Sequence, residues 1–265
     1  MVSQKLWKLL QPLLPVVPRS RKGGHPRLDD RAALNGILLV LTTGIPWEDL
    51  PQEPGFGSGM TCWRHLRDWQ AQGVWDRLHL VLLTKLRQCD QIDWSRASID
   101  EASVASPPPG GARKPGPNPT DRGKSDSKRH IIVDRRSVPL ALSVTGADRH
   151  DSMAFEAFVD VIPAIPDLLG RPWTRPYKLH ADKGHDFHRC REHLKRRGIL
   201  ARIARRDVEG SEKLRRHRWG VERTHAWLAG FGKLRMRFER RLDTHYALLK
   251  LACAVICLRF IERFC

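Results

Sequence analysis

Residues 95–104 read SRASIDEASV, and the fold turns on this stretch because it breaks the helical pattern of everything before it. Ser98, Asp100 and Ala102 alternate with Ile99, Glu101 and Ser103, which is the two-residue period of a strand. Upstream, apolar runs at helical spacing alternate with short turns. Asp29 and Asp30 begin a helix that carries Leu34, Ile37, Leu38 and Leu41 and should stop at Gly44, since Pro46 follows. Residues 61–72 and 74–88 complete a small bundle, so residues 1–90 are expected to form an all-α unit. Two of its helices meet through a Gly-containing turn, and Arg64, His65 and Arg67 give one of them a basic surface. That is the pattern of a helix-turn-helix DNA reader, and equally of a plain bundle with a solvated face.

Downstream the rhythm is that of a mixed sheet. Residues 107–119 hold so many Pro and Gly that no regular element can form, which predicts a loop over about residues 106–123. The β-branched runs 130–133 and 138–144 flank Asp134 and Ser137 as a hairpin. A helix (152–162), a strand (177–181), a helix (187–197), a strand (199–203) and two long helices (212–229 and 244–264) follow. This order predicts an α/β fold over residues 91–265, a mixed sheet with helices on both faces.

The formal net charge of +18 points to nucleic acid or an anionic membrane as partner. Residues 171–265 carry 25 Lys or Arg against 10 Asp or Glu, a net of +15, so polyanion contact is expected mainly there. The most apolar run, residues 251–258, stops at Arg259, well short of the roughly 20 residues a bilayer needs. Together with the lack of a signal peptide before the first basic residues, this predicts a cytoplasmic protein with no membrane partner. The six cysteines include no CxxC pair and are expected to be reduced thiols, Cys253 and Cys257 as core residues one helical turn apart.

Three carboxylates stand in odd places: Asp100 inside a strand that should be central, Asp182 just past the 177–181 strand, and Glu222 inside a helix. Converging acids need a counter-charge, which hard divalent cations with oxygen ligands supply. Two such ions about 4 Å apart can activate an attacking oxygen and stabilise the leaving oxygen of a phosphodiester. Arg215, Arg218, Glu222 and His225 repeat at three or four residues and share one helix face, which would present guanidiniums and a carboxylate to a phosphate backbone. A solvated basic helix would show the same spacing.

Blocks of sequence resemble the DDE-type transposases of the bacterial insertion-sequence-5 family over nearly the full length. GGHPRLDDRAALNGILLVLTTGIPWEDLP (23–51) and TCWRHLRDWQAQGVWDRL (61–78) resemble the family's leading helical domain. SIDEASV (98–104), DRGKSDSKRHIIVDRRSVPLALSVTGADRHDS (121–152), LHADKGHD (179–186) and RWGVERTHAWL (218–228) resemble its catalytic blocks. The resemblance implies an RNase H-like catalytic fold behind a helix-turn-helix-like domain, and a catalytic, metal-holding triad of Asp100, Asp182 and Glu222. It also implies two Mg2+ ions, with Mn2+ substituting, nicking at terminal inverted repeats, and attack of the freed 3′-hydroxyl on target DNA. The implied partner is double-stranded DNA, both element ends and target, in the bacterial nucleoid, and pairing two ends requires a homodimer or larger assembly. Related transposases carry Tyr, Arg, Glu and Lys in the third block. Here Arg218 and Glu222 fit, but Arg215 stands at the Tyr position and Ala229 at the Lys position, which leaves Lys233 as a substitute.

Other residues carry weaker signals. Lys124, Lys128 and Arg129 beside the loop, and His185, are expected to contact phosphates. His180, His185 and His188 near Asp182 invite a zinc reading, but no HExxH-like pair accompanies them. Asp148 and Asp151 read as a turn and helix cap, and Glu101 should point away from Asp100. Two rival functions remain: a catalytically silent DNA-binding regulator, and a nuclease of the same fold without strand transfer.

Overall fold

The computed structural model describes residues 2–17, 27–106, 116–117, 125–148, 150–205 and 211–265. Four helices lead: α1 (Gln4–Leu10), α2 (Asp30–Thr43), α3 (Gly59–Ala71) and α4 (Val74–Gln88). Asp29 caps α2 by accepting from the Ala32 amide, and Ser58 caps α3 by accepting from Thr61. Gly44 ends α2 at φ +82, in the left-handed region that favours glycine. Its Cα also faces the backbone of Gly232, which a side chain at position 44 would meet at 2.7 Å.

The sheet runs β2-β3-β1-β7-β8, with β4 pairing the far part of β3. Its strands are β1 (Ala97–Ala105), β2 (Gly116–Pro117), β3 (Ser125–Asp134), β4 (Pro139–Gly146), β7 (Lys178–Ala181) and β8 (Leu200–Ile203), and β5 (Ile165–Pro166) pairs separately with β6 (Pro172–Trp173). β1, β3 and β4 are antiparallel neighbours, while β7 and β8 continue parallel to β1. An antiparallel meander extended by two parallel strands beside its first strand is the RNase H-like arrangement. Helices α5 (Asp151–Asp160), α6 (His188–Arg196), α7 (Ser211–Ala229) and α8 (Leu242–Phe264) cover it. The 107–115 and 118–124 parts of the Pro/Gly-rich stretch lie outside the described residues. Asp148 lies in a turn, as expected, but the cap of α5 is His150, which accepts from the Ser152 amide, and not an aspartate.

α8 is long and apolar enough to cross a bilayer by length and composition, yet most of that span is buried inside the protein. It packs against α3 and α4 on one side and against β4 on the other. One continuous apolar core therefore runs from Leu6 through Trp69 and Trp75 to Leu248 and Ile256. Cys253 and Cys257 sit in it, and all six thiols are free.

A buried glutamate fastens the leading helices to the rest. Glu239 accepts from the Trp47 indole at 2.8 Å and the Trp63 indole at 3.1 Å, one on each carboxylate oxygen, while the Thr244 hydroxyl donates at 3.3 Å. Glu239→Gln keeps the volume but offers one accepting oxygen, so an indole N–H would face an amide. The expected loss is about 1–3 kcal/mol, read as a lowered urea midpoint; unchanged stability would mean that the indoles find other acceptors.

Candidate active site

The register of β1 decides which acid meets which partner. Asp100 pairs across to Ile131 and Glu101 to His130, so the two carboxylates leave the strand on opposite faces. Asp100 is nearly buried under α7, where Arg218 Nη2 donates to its Oδ1 at 2.5 Å. Burial raises the Asp100 pKa to about 6 against the pull of Arg218, with Glu101 and Asp182 adding repulsion. Beside it on α7, His225 accepts through Nδ1 from Arg129 Nη2 at 3.3 Å. Burial and then the Arg129 charge press the His225 pKa down to about 3, so the ring is neutral.

Glu101 faces the α5 side. His130 Nδ1 lies 3.4 Å from Glu101 Oε1 and its Nε2 lies 2.7 Å from the Thr145 hydroxyl. The His130 ring stands edge-on to Phe158, and the His185 ring leans on Phe155. His185 is fully buried between two carboxylates, its Nε2 3.0 Å from Glu101 Oε1 and its Nδ1 2.8 Å from Asp182 Oδ1. Burial opposes a charge on this ring, but the two carboxylates outweigh it and raise the pKa to about 9. Burial likewise opposes ionised Glu101, and the hydrogen bonds of His130 and His185 overcome it, lowering that pKa to about 2. Asp182 caps the 3-10 turn Lys183–His185 by accepting from the Gly184 amide at 2.9 Å; burial pushes its pKa up, but the hydrogen bond and charge of His185 and the charge of Arg218 together outweigh burial and lower it.

Glu101, Asp182 and His185 thus have ligand atoms within 4.8 Å of one another. Two carboxylates closing on an imidazolium define a place where positive charge is wanted, and oxygen donors beside one nitrogen suit Mg2+ or Mn2+. A divalent ion held by all three would have to displace the proton that the two carboxylates keep on His185; with His185 charged, the cluster is already neutralised and serves to hold Asp182. Of the three acids read from the sequence it contains one. Asp100 is held separately by Arg218, and Glu222 is exposed on α7 with no hydrogen bond or ion pair among the described residues. Helix geometry still places Glu222 on the stripe of Arg218 and His225, both of which reach β1.

Glu101 faces away from Asp100, as the strand alternation predicts. Asp182, however, lies beyond its strand in a turn, and a turn residue can swing its carboxylate to either face.

Several expected DNA contacts need correction. His65 is 8% exposed, lies edge-on to Trp69 and takes a hydrogen bond from Arg27 Nε at 3.3 Å. Lys233 is 5% exposed and donates to the Ile45 carbonyl at 3.2 Å, so it fastens the turn after α7 to the end of α2 and has no face for a phosphate. His185, wholly enclosed, cannot touch DNA directly. Arg64 is exposed on α3, whereas Arg67 pairs with Asp68 at 2.7 Å over the Trp63 ring. Lys128 is half-buried on β3. Lys124 and the side chain of Arg215 lie outside the described residues.

Residues 2–79 match the family model described as "Putative transposase of IS4/5 family", and residues 92–257 match "Transposase DDE domain". The chain belongs to the DDE transposases of the IS4/5 family, which are divalent-metal-dependent enzymes. It is 48% identical over 153 residues to the "Putative transposase for insertion sequence element IS402" of Burkholderia cepacia, covering 58% of this chain and 72% of that protein. It is 58% identical over 106 residues to the 16.2 kDa protein of the same element and organism, covering 39% of this chain and 71% of that one. Among solved structures it is similar to the Mos1 transposase paired-end complex with left transposon end, at 11% identity, 92% of this chain, 82% of that chain and a TM-score of 0.29. At that level the likeness adds nothing to the strand order.

Proposed function

We infer that this chain binds the terminal inverted repeats of a bacterial insertion sequence, nicks the element ends by metal-dependent hydrolysis and joins the freed 3′-hydroxyls to target DNA. The observation that supports this best is the Arg218–Asp100 contact. It lays the RWGVERT face of α7 on β1, so that Glu222 lies one turn from a residue touching Asp100, with Asp182 past the end of the neighbouring parallel strand. Asp100, Asp182 and Glu222 would hold two Mg2+ ions, for which Mn2+ would substitute. Glu101 and His185 would position Asp182 from behind. The bound ions would supply Lewis acidity to the attacking and leaving oxygens. Arg218 would pass from the carboxylate to a phosphate, for which a guanidinium fork is suited.

The exposed Arg64 of α3 would read end sequence, and the basic 171–265 half would track backbone phosphates. The protein would act in the bacterial cytoplasm on the nucleoid, as a homodimer or larger assembly on two paired ends.

A Mg2+-dependent assay on labelled ends, scored separately for nicking and joining, tests the reading. Nicking and joining together support it, nicking without joining leaves a nuclease, and binding without either leaves a silent regulator. Affinity for duplex should fall with salt by a slope of about −0.9 in log affinity per phosphate neutralised. A flat response in a titration from low to moderate salt would remove the phosphate-tracking surface.

A further inference from the structure

Beside the face of α7 that lies on β1 is a second one that the acidic site does not use. Trp219, Arg223 and Trp227 repeat every four residues, one position on from Arg218 and Glu222, and so lie about 100° further round the helix. Arg223 is stacked between the two indoles, its guanidinium carbon 4.3 Å from the Trp219 ring and 4.7 Å from that of Trp227. Its Nη2 donates to the Arg136 carbonyl at 2.9 Å and the Ser137 hydroxyl at 2.8 Å, which anchors the ladder to the β3–β4 turn. Arg259 and Arg263 on α8 and Arg135 and Arg136 of the β3–β4 turn line, with this ladder, an open groove of about 860 Å³.

The lining is one-sided in charge: five arginines against Asp93. Asp93 is engaged by the Ser95 amide at 2.9 Å and Arg135 at 3.7 Å. Arg259 and Arg263 are exposed and make no ion pair among the described residues. Apolar rings stay open between these cations. Trp219 is 46% exposed although Arg223 covers part of its ring, and Phe264 is 51% exposed.

Guanidiniums interleaved with open aromatic planes suit a polyanion that itself carries flat rings. A closed duplex offers the phosphates but keeps its bases stacked inside, and an acidic peptide offers charge without a plane to stack. We propose that this groove seats a single-stranded run of DNA, phosphates against Arg259 and Arg263 and an unpaired base on the free surface of Trp219. The proposal rests on the DNA-processing reading above. Because both surfaces share α7, a strand parted from its complement at the acidic site has a short path round the helix into the groove.

The test uses the full chain, fluorescence anisotropy at fixed salt, and two labelled probes: a blunt duplex, and the same duplex with an unpaired tail of about eight nucleotides. The tail should tighten binding. Trp219→Ala should cost the tailed probe roughly fivefold or more and leave the blunt probe unchanged, while Trp219→Phe, which keeps a plane, should cost less. Arg259→Gln with Arg263→Gln should flatten the salt response of the tailed probe by about two phosphates.

Equal effects on both probes, or none on either, would overturn the groove while leaving the duplex-processing reading in place. Failure to bind either probe would overturn that reading too. Polyglutamate that displaces the tail in an Arg259- and Arg263-dependent but Trp219-independent way would make this an acidic-peptide surface and end the proposal.

Discussion

Asp100→Asn, Asp182→Asn and Glu222→Gln are each expected to lower nicking and joining by more than about 100-fold while leaving duplex affinity within a few-fold of the parent. The magnitude follows because changes to groups behind metal ligands already cost 10–100-fold, and loss of a ligand charge should exceed that. The amides preserve volume and leave Arg218 an oxygen to donate to, so the contact of α7 with β1 survives in Asp100→Asn. Glu222 is exposed, so its replacement by Gln perturbs no packing. Single-turnover rates on labelled ends and anisotropy on the same DNA separate chemistry from binding. Near-normal turnover in any one variant would remove that residue from the site. Glu101→Gln serves as the companion: it loosens His185 and hence Asp182, so its defect should be partial and should ease at higher Mn2+.

The sequence made the strand carrying Asp100, the hairpin around Asp134 and the ends of α2 and α4 legible, because each has a local cause. Period-two alternation, β-branched runs on either side of Asp134 and Ser137, an aspartate cap and a terminal glycine act within a few residues. What stayed hidden depends on partners far along the chain. Lys233 and His65 looked like surface cations because their residue types usually are, yet the Ile45 carbonyl and the Arg27 guanidinium lie where only the folded chain brings them. Glu101 was hidden for a related reason: its partner His185 is set by a turn whose direction no periodicity encodes. Helices precede residue 90 and the strands of the sheet follow it, but α8 packs on α3 and α4 as part of the same core. Removing the first 90 residues would strip that helix of its cover, so end recognition is better probed by Arg64→Ala in the full chain.

Acidification from pH 7 to pH 5 should cost the fold about 4 kcal/mol through two buried histidines outside the active site. His79 is 2% exposed, and its Nε2 donates to the Pro139 carbonyl at 2.8 Å. Burial and then the Lys250 charge press its pKa from 6.5 down to about 3, against the smaller upward pull of that carbonyl. His245 is 1% exposed, and burial followed by the charges of Arg237 and Arg129 presses it to about 3 as well. In both the folded value is depressed, so the unfolded chain binds the extra proton between pH 6.5 and about 3, and folding loses free energy as pH falls through that window. At pH 5 the unfolded ring is almost wholly protonated and the buried one is not, a difference of about 1.5 pH units or about 2 kcal/mol per histidine. Asp134 works in the opposite sense, since burial raises its pKa to about 7 and a proton on it favours the fold at lower pH. The comparison must therefore be differential. Urea unfolding of the parent, His79→Gln and His245→Gln at pH 7 and pH 5 should show each variant losing about 2 kcal/mol less than the parent across that interval. Parallel losses in all three would mean that these rings take up protons in the folded state and that the burial argument fails.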